Sequence, residues 1–162
     1  MDGDLAIRPL RSPDDDDFDL SVYASTRLSE LTSLGWTNDQ IDEFIRMQYR
    51  AQSRHYRQYY PDAAYSVITV ASEPAGRLIV ARSDREIRIV DIALLPEYQG
   101  RRIGGILVRQ LVAEAEETGI ALRCHVEQSN PARGFWEHLG LVPVRIDGAH
   151  ILMERACVIS PH

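Results

Sequence analysis

Gln99-Gly100-Arg101-Arg102-Ile103-Gly104-Gly105 places three glycines and two arginines within seven positions, a composition suited to holding an anion. A glycine has no Cβ, so a phosphate oxygen can approach its backbone N–H, and an arginine adds charge-assisted donors. Position along the chain strengthens the reading. The turn follows Ile87, Ile89, Val90, Ile92, Ala93 and Leu94, an apolar, β-branched run of strand length. It precedes Ile103, Leu107, Val108, Leu111, Val112 and Ala115, apolar at helical spacing up to Gly119, a C-terminal stop. A helix that starts in such a turn aims unpaired N–H groups and the positive end of its dipole at whatever binds there. A purely structural turn uses glycine in the same way, so both readings stay open on these residues alone. Two nucleotide patterns are excluded: no Gly-x-x-x-x-Gly-Lys-Ser/Thr occurs, and Gly100, Gly104 and Gly105 do not fit Gly-x-Gly-x-x-Gly.

A second constellation runs from the strand-like Ala121–Val126 into Asn130-Pro131-Ala132-Arg133-Gly134-Phe135-Trp136-Glu137-His138-Leu139-Gly140. Asn130 suits an N-cap, Pro131 a first helical position, Phe135 and Leu139 share a face, and Gly140 closes the helix. Cys124 and Cys157 lack metal-ligand spacing and read as reduced thiols. The run Asp14–Asp17 is expected to be a solvated helix start favoured by the dipole rather than a metal site, and no metal is expected.

These residues need elements to hold them. Leu5 to Leu10 reads as a first strand. Leu20, Tyr23, Ala24, Leu28, Leu31 and Leu34 mark a helix that Gly35 ends. Thr37 and Gln40 form a capping box for a second helix, with Ile41, Phe44, Ile45, Gln48, Ala51, Gln52 and His55 on one face and an end before Pro61. Its Tyr49, Tyr56, Tyr59 and Tyr60, with Gln48, Gln52 and His55, either line a pocket or cover the core. Tyr65–Val70, Arg77–Ala81 and Ile87–Leu94 read as an antiparallel meander, separated by Pro74-Ala75-Gly76 and Ser83-Asp84-Arg85. The helix after the turn, a strand at Ala121–Val126, a short helix and a final pair of strands complete the order.

At 162 residues and a net charge of −6, the chain reads as one domain with a real core. Without a block of Lys or Arg it lacks the footprint of a nucleic-acid binder. No apolar run approaches the roughly 20 residues of a membrane span. The acidic start Met1-Asp2-Gly3-Asp4 does not resemble a signal peptide, so a cytoplasmic location is expected. No apolar stripe stands clear of what the core consumes.

From Leu94 to Gly105 the chain resembles the Gln/Arg-x-x-Gly-x-Gly/Ala signature of the GNAT superfamily of acetyl-CoA-dependent N-acetyltransferases. Gln99 and Gly104 match, and Leu94-Leu95-Pro96-Glu97-Tyr98-Gln99-Gly100 is similar to the family's Val-x-Pro-x-Tyr-Arg-Gly. Arg102 replaces the family's middle glycine, and its side chain either weakens phosphate contact or adds a bond to it. Asn130, Phe135, Gly140 and Leu141 are in register with the family's Asn-x-x-Ala-x-x-Phe-Tyr-x-x-x-Gly-Phe, the alanine displaced.

The resemblance implies an α/β (α+β) fold in a single domain, 1–162. It has a twisted, mixed, mostly antiparallel sheet of six to seven strands, helices on both faces, and a splay between the fourth and fifth strands. Residues 1–60 would form the acceptor side and 61–156 the acetyl-CoA core. Ile92, Ala93, Leu94, Gln99, Gly100, Arg101, Arg102, Ile103, Gly104, Gly105, Asn130, Phe135 and Trp136 would contact acetyl-CoA as cosubstrate. An amine of a small molecule, peptide or protein would attack the thioester directly, with the Leu94 N–H on its carbonyl. Asp91 and Glu97 are candidate bases; the structural alternatives are an ion pair for Asp91 and solvation for Glu97. Trp136 occupies the place of the family's Tyr general acid and has no titratable proton. Tyr23, Tyr56, His125 or water would then replace it, the thiolate leaves unaided, or the domain binds acyl-CoA without turnover. A homodimer is compatible with the resemblance.

Overall fold

The computed structural model describes residues 4–128 and 132–157. Its elements run β1 (Leu5–Pro9), α1 (Asp16–Thr32), α2 (Asn38–Tyr59), β2 (Ala64–Val70), β3 (Glu73–Arg82), β4 (Glu86–Leu94), a 3-10 turn (Pro96–Tyr98), α3 (Ile103–Thr118), β5 (Ala121–Glu127), α4 (Arg133–His138), β6 (Val142–Asp147) and β7 (His150–Arg155). The strands form one mixed sheet in the order β1-β2-β3-β4-β5-β7-β6, with β4 and β5 parallel. That is the mixed, mainly antiparallel α/β architecture expected from the resemblance. Two compact units are distinguished within it, Met1–Ile79 with Asp91–Arg101, and Val80–Val90 with Arg102–His162.

In the first unit β1 pairs antiparallel with β2, Leu5 opposite Val70 through Pro9 opposite Ser66. The capping box on α2 forms as its sequence predicts: Gln40 N–H donates to Thr37 Oγ1 at 3.2 Å, and Thr37 N–H donates to Gln40 Oε1 at 2.9 Å. α1 and α2 bury Tyr23, Leu31, Ile41 and Ile45 against one another, with Leu20, Ala24, Phe44 and Tyr49 packed around them. α1 stops at Thr32, short of the expected Leu34, because Ser33 caps it and Gly35 turns the chain at φ +74°.

Two expectations need correction. The Asp14–Asp17 run is not uniformly solvated: Asp15 is buried, bound by Arg8 Nη1 and Nη2 at 2.8 and 2.9 Å and by the Arg11 N–H. Pro74-Ala75-Gly76 is not a separator but the start of β3, and the reversal sits at Ala71 and Ser72, both at positive φ. Gly76 belongs inside the strand because a Cβ there would collide with the Ala93 carbonyl.

In the second unit the parallel register sets Glu86–Ile89 against Ala121–Cys124, and β5 runs antiparallel to β7. One face of this register collects Ile87, Ile89, Leu122, Cys124, Val126, Ile151 and Met153, all buried. The other face is ionic: Glu86 bridges Arg88 and Arg123, and Arg123 also holds Glu154 at 2.7 Å. The bridging carboxylate offsets the two arginines that the register sets opposite one another. α3 contributes Leu107, Val108, Leu111 and Ala115 to the core, and Gly119 ends it at φ +70°. α4 begins at Arg133 with Ala132 as its cap; Asn130 and Pro131, expected to start it, lie outside the described residues. Contrary to the expectation that no apolar stripe stands clear, edge strand β6 exposes Val142, Val144 and Ile146. Pro143 and a register shift between Pro143 and Arg145 blunt that edge against pairing.

Candidate functional site

β4 runs to Leu94, but its register with β5 ends at Ile89 opposite Cys124, so Val90–Leu94 continue beyond that parallel pairing. The chain then turns. Leu95 N–H donates to Ala75 O at 2.9 Å, and the Gln99 side chain donates to Leu94 O at 3.0 Å, which fixes the strand end. Gly100 at φ +76° and Arg102 at φ +64° bring the chain into α3. Arg102 thus keeps the left-handed conformation a glycine would adopt freely, at a cost of about 1 kcal/mol for a side-chain residue. Its side chain is exposed, while Arg101 lies over the Tyr98 ring, 5.3 Å from the centroid.

The start of α3 has no side-chain cap and no acid in its first turn, whereas α1 and α2 both carry acids there. The helical ladder opens with Ile106 N–H donating to Arg102 O, which leaves the N–H groups of Ile103, Gly104 and Gly105 ahead of it. Packing does not explain Gly104 or Gly105. A Cβ on Gly104 would rest 3.7 Å from the Phe135 ring, and one on Gly105 would lie 3.4 Å from the flexible end of Arg109. Neither residue is at positive φ, and each costs about 0.5–1 kcal/mol relative to alanine within a helix. What their bareness leaves open is close access to those three amides.

A buried polar cluster occupies the first unit. The Arg77 guanidinium donates from Nε to Asp91 Oδ2 at 2.5 Å, from Nη1 to Asp19 Oδ1 at 3.3 Å, and from Nη2 to Gln52 Oε1 at 2.7 Å. Tyr49 donates its hydroxyl to Asp19 Oδ2 at 2.6 Å, and Tyr23 sets its ring against the guanidinium, 5.8 Å away. Burial, and then Asp19, push the Tyr49 hydroxyl well above the usual phenol range; burial, and then Asp91, do the same for Tyr56. Asp91 therefore sits in the ion pair named as its structural alternative, with Arg77 as the partner. Of the α2 side chains with two readings, Gln52 and Tyr49 join this cluster. Arg77 itself was missed, because an arginine at the head of the short apolar run Arg77–Ala81 reads as a strand end facing solvent.

The remaining candidates are dispersed. Ile92, Ala93 and Leu94 are half-buried, and Glu97 is exposed in the 3-10 turn. Trp136 is buried and meets Phe135 edge-on at 5.0 Å. His125 is held between Arg88 at 3.1 Å and Asp147 at 3.0 Å, outside the Arg77 cluster. Burial pushes the Cys124 thiol up to about 12, consistent with an inert core thiol. Among the described residues, no group of three or more His, Cys, Asp and Glu side chains could hold a metal ion, and no helix is long and apolar enough to cross a membrane.

Known proteins resemble the chain in sequence and in fold. The chain is 37% identical over 62 residues to the [ribosomal protein bS18]-alanine N-acetyltransferase of Haemophilus influenzae, a match covering 38% of this chain. It spans only 42% of the length of that curated relative. The structure resembles PaiA N-acetyltransferase from Thermoplasma acidophilum, solved in complex with coenzyme A, with a TM-score of 0.69, 20% identity, and coverage of 94% and 99% of the two chains. It also resembles a GNAT family acetyltransferase from Elizabethkingia anophelis with acetyl-CoA bound, with a TM-score of 0.57, 16% identity, and coverage of 94% and 97%. At these identities the structural likenesses establish the fold. The model of the acetyltransferase (GNAT) family matches residues 28–141, from within α1 to the end of the α4 turn, and with most of its length matched the chain belongs to the GNAT acetyltransferase family.

Proposed function

We propose that this chain binds acetyl-CoA through the turn from Gln99 to Gly105 and transfers the acetyl group to a primary amine. The observation that carries this reading is the pair Gly104 and Gly105, bare at an uncapped helix start where neither φ nor packing requires glycine. The N–H groups of Ile103, Gly104 and Gly105 would hold the pyrophosphate, and the exposed Arg102 would add a charge-assisted bond. Leu94 would offer its N–H to the thioester carbonyl, and Phe135, beside the two glycines, would wall the cofactor arm. Asn130, outside the described residues, is assigned the pantetheine contact by the family pattern alone.

The acceptor ammonium first gives one proton to a base; the neutral amine then bonds to the acetyl carbon and releases a second proton to water as the carbon–sulfur bond breaks and the thiolate leaves. Asp91, tied to Arg77, is better suited to fix and neutralise the incoming ammonium than to take its proton. Exposed Glu97 or water remains the base. Trp136 is a packing residue rather than an acid, so the thiolate, whose conjugate thiol has an ordinary pKa of about 8.5, leaves without a dedicated donor. The acceptor class spans small amines and free peptide or protein N-termini, and the chain would act in the cytoplasm.

Titration calorimetry with acetyl-CoA tests the binding claim: a dissociation constant in the micromolar range is expected, and no heat at sub-millimolar concentration would end it. A thiol-release assay across amines and peptides with free N-termini tests transfer. The buried Trp136 favours a second reading, a domain that binds acyl-CoA without turnover. Tight binding with no acceptor-stimulated release would select it.

A further inference from the structure

Arg77 is the most deeply buried charged residue among those described, 4% exposed, and its demands exceed those of a simple ion pair. Each of its three nitrogens reaches a different element: Nε reaches β4 at Asp91, Nη1 reaches α1 at Asp19, and Nη2 reaches α2 at Gln52. Its own backbone lies on β3, so one planar group fixes four elements in a single geometry. Asp19 is held a second time, by Tyr49 of α2. Asp91 uses only Oδ2 in this arrangement; Oδ1 has no hydrogen-bond partner among the described residues, and the side chain is 24% exposed. Two carboxylates against one guanidinium leave the cluster with one net negative charge.

We infer that Arg77 is the positioning residue for the acceptor. It holds Asp91 by Oδ2 and leaves Oδ1 free, three residues before Leu94, while Asp19 of α1 and Gln52 of α2 are tied to the same guanidinium. The acceptor it suits is a cationic amine, received as the ammonium before it is deprotonated. This rests on the acetyl-transfer reading above, and it adds a residue that the family pattern does not name.

The test compares the full chain with Arg77→Lys, which keeps the charge but cannot make three directional bonds, and with Gln52→Ala, which removes the α2 arm alone. The substrate is the best acceptor found among a linear diamine, free lysine and a hexapeptide with an unblocked N-terminus. Both variants are expected to raise the acceptor KM, Arg77→Lys about tenfold, with a smaller change in kcat and an unchanged calorimetric Kd for acetyl-CoA. Arg82→Lys, which alters an arginine paired to Glu114 elsewhere, should leave every constant unchanged. If acceptor KM and acetyl-CoA Kd both stay at the wild-type value, or both worsen in step with lost thermal stability, Arg77 is structural and the inference fails. Should Arg77→Lys not fold, Gln52→Ala decides by the same criteria. Wild-type protein that binds acetyl-CoA but acetylates none of the three amines overturns the transfer reading and this inference together. An unmoved KM in the variants of an active enzyme overturns this inference alone.

Discussion

A glycine inside a helix is a liability unless something needs its missing side chain, and Gly104 has no such need within the chain. Its Cβ position is in ordinary contact distance of Phe135, so Gly104→Ala should fit without displacement. The variant is expected to unfold later, by about 0.5–1 kcal/mol, because alanine costs less helical entropy. If the bare backbone serves a phosphate, the same methyl group should weaken acetyl-CoA binding by about tenfold or more. Melting the wild type and the variant with and without acetyl-CoA checks both signs: the variant should melt higher alone and gain less from the ligand. A variant that is stabilised and equally responsive to acetyl-CoA would return Gly104 to architecture. The glycines themselves were legible from the sequence, but their reason was not. Gly76 and Gly104 look alike in a string of letters, and only the collision with the Ala93 carbonyl at one and the ordinary contact with Phe135 at the other separate them.

At the scale of elements, local rules worked where the residues concerned act on their own backbone. The Thr37–Gln40 capping box and the stop at Gly119 both form as their sequences predict, since each needs only neighbours within a turn. The β2–β3 reversal was misplaced because its residues are atypical: Ala71 and Ser72 take φ +50° and +67°, where Asn and Gly are usual, and Pro74-Ala75-Gly76 supplied the stronger turn signal. Ser72→Gly should relieve this and stabilise the chain by about 1 kcal/mol, read from urea unfolding with an unchanged slope.

At the start of α1 the expected solvated acids hold for Asp14, Asp16 and Asp17 but not for Asp15, since four acids in a row hide the one that an arginine grips. Arg8 and the Arg11 N–H hold Asp15 down at about 2, below the usual carboxylate value of 3.8. Because the folded value is depressed, its contribution, about 1 kcal/mol after solvent screening, is complete above pH 4 and lost as the pH falls toward 2. Asp15→Asn should therefore be less stable than wild type at pH 7, and the two unfolding curves should converge as the pH approaches 2.

Over the whole molecule, the fold and the glycine-bearing turn into α3 were legible because apolar period and glycine placement are local patterns. The Arg77 cluster was not, because it is assembled from residues 19, 49, 52, 77 and 91, whose spacing carries no period. Sequence alone offered an arginine partner for Asp91 and two readings for the polar face of α2; folding brings them to one buried point. That assembly makes a strong demand on stability. Replacing Arg77 with methionine, which matches the aliphatic stem but lacks the charged head, strands Asp19 and Asp91, whose side chains are only 13% and 24% exposed, without their counter-charge. Removing one member of such a set costs about 3–5 kcal/mol, whereas replacing all members with neutral groups costs much less, because no charge is left unpaired. Arg77→Met should accordingly lower the urea midpoint sharply, and the triple variant Asp19→Asn, Arg77→Met, Asp91→Asn should recover most of the loss. If the triple variant is as unstable as the single one, packing of the arginine stem rather than charge balance is what the core requires at this position.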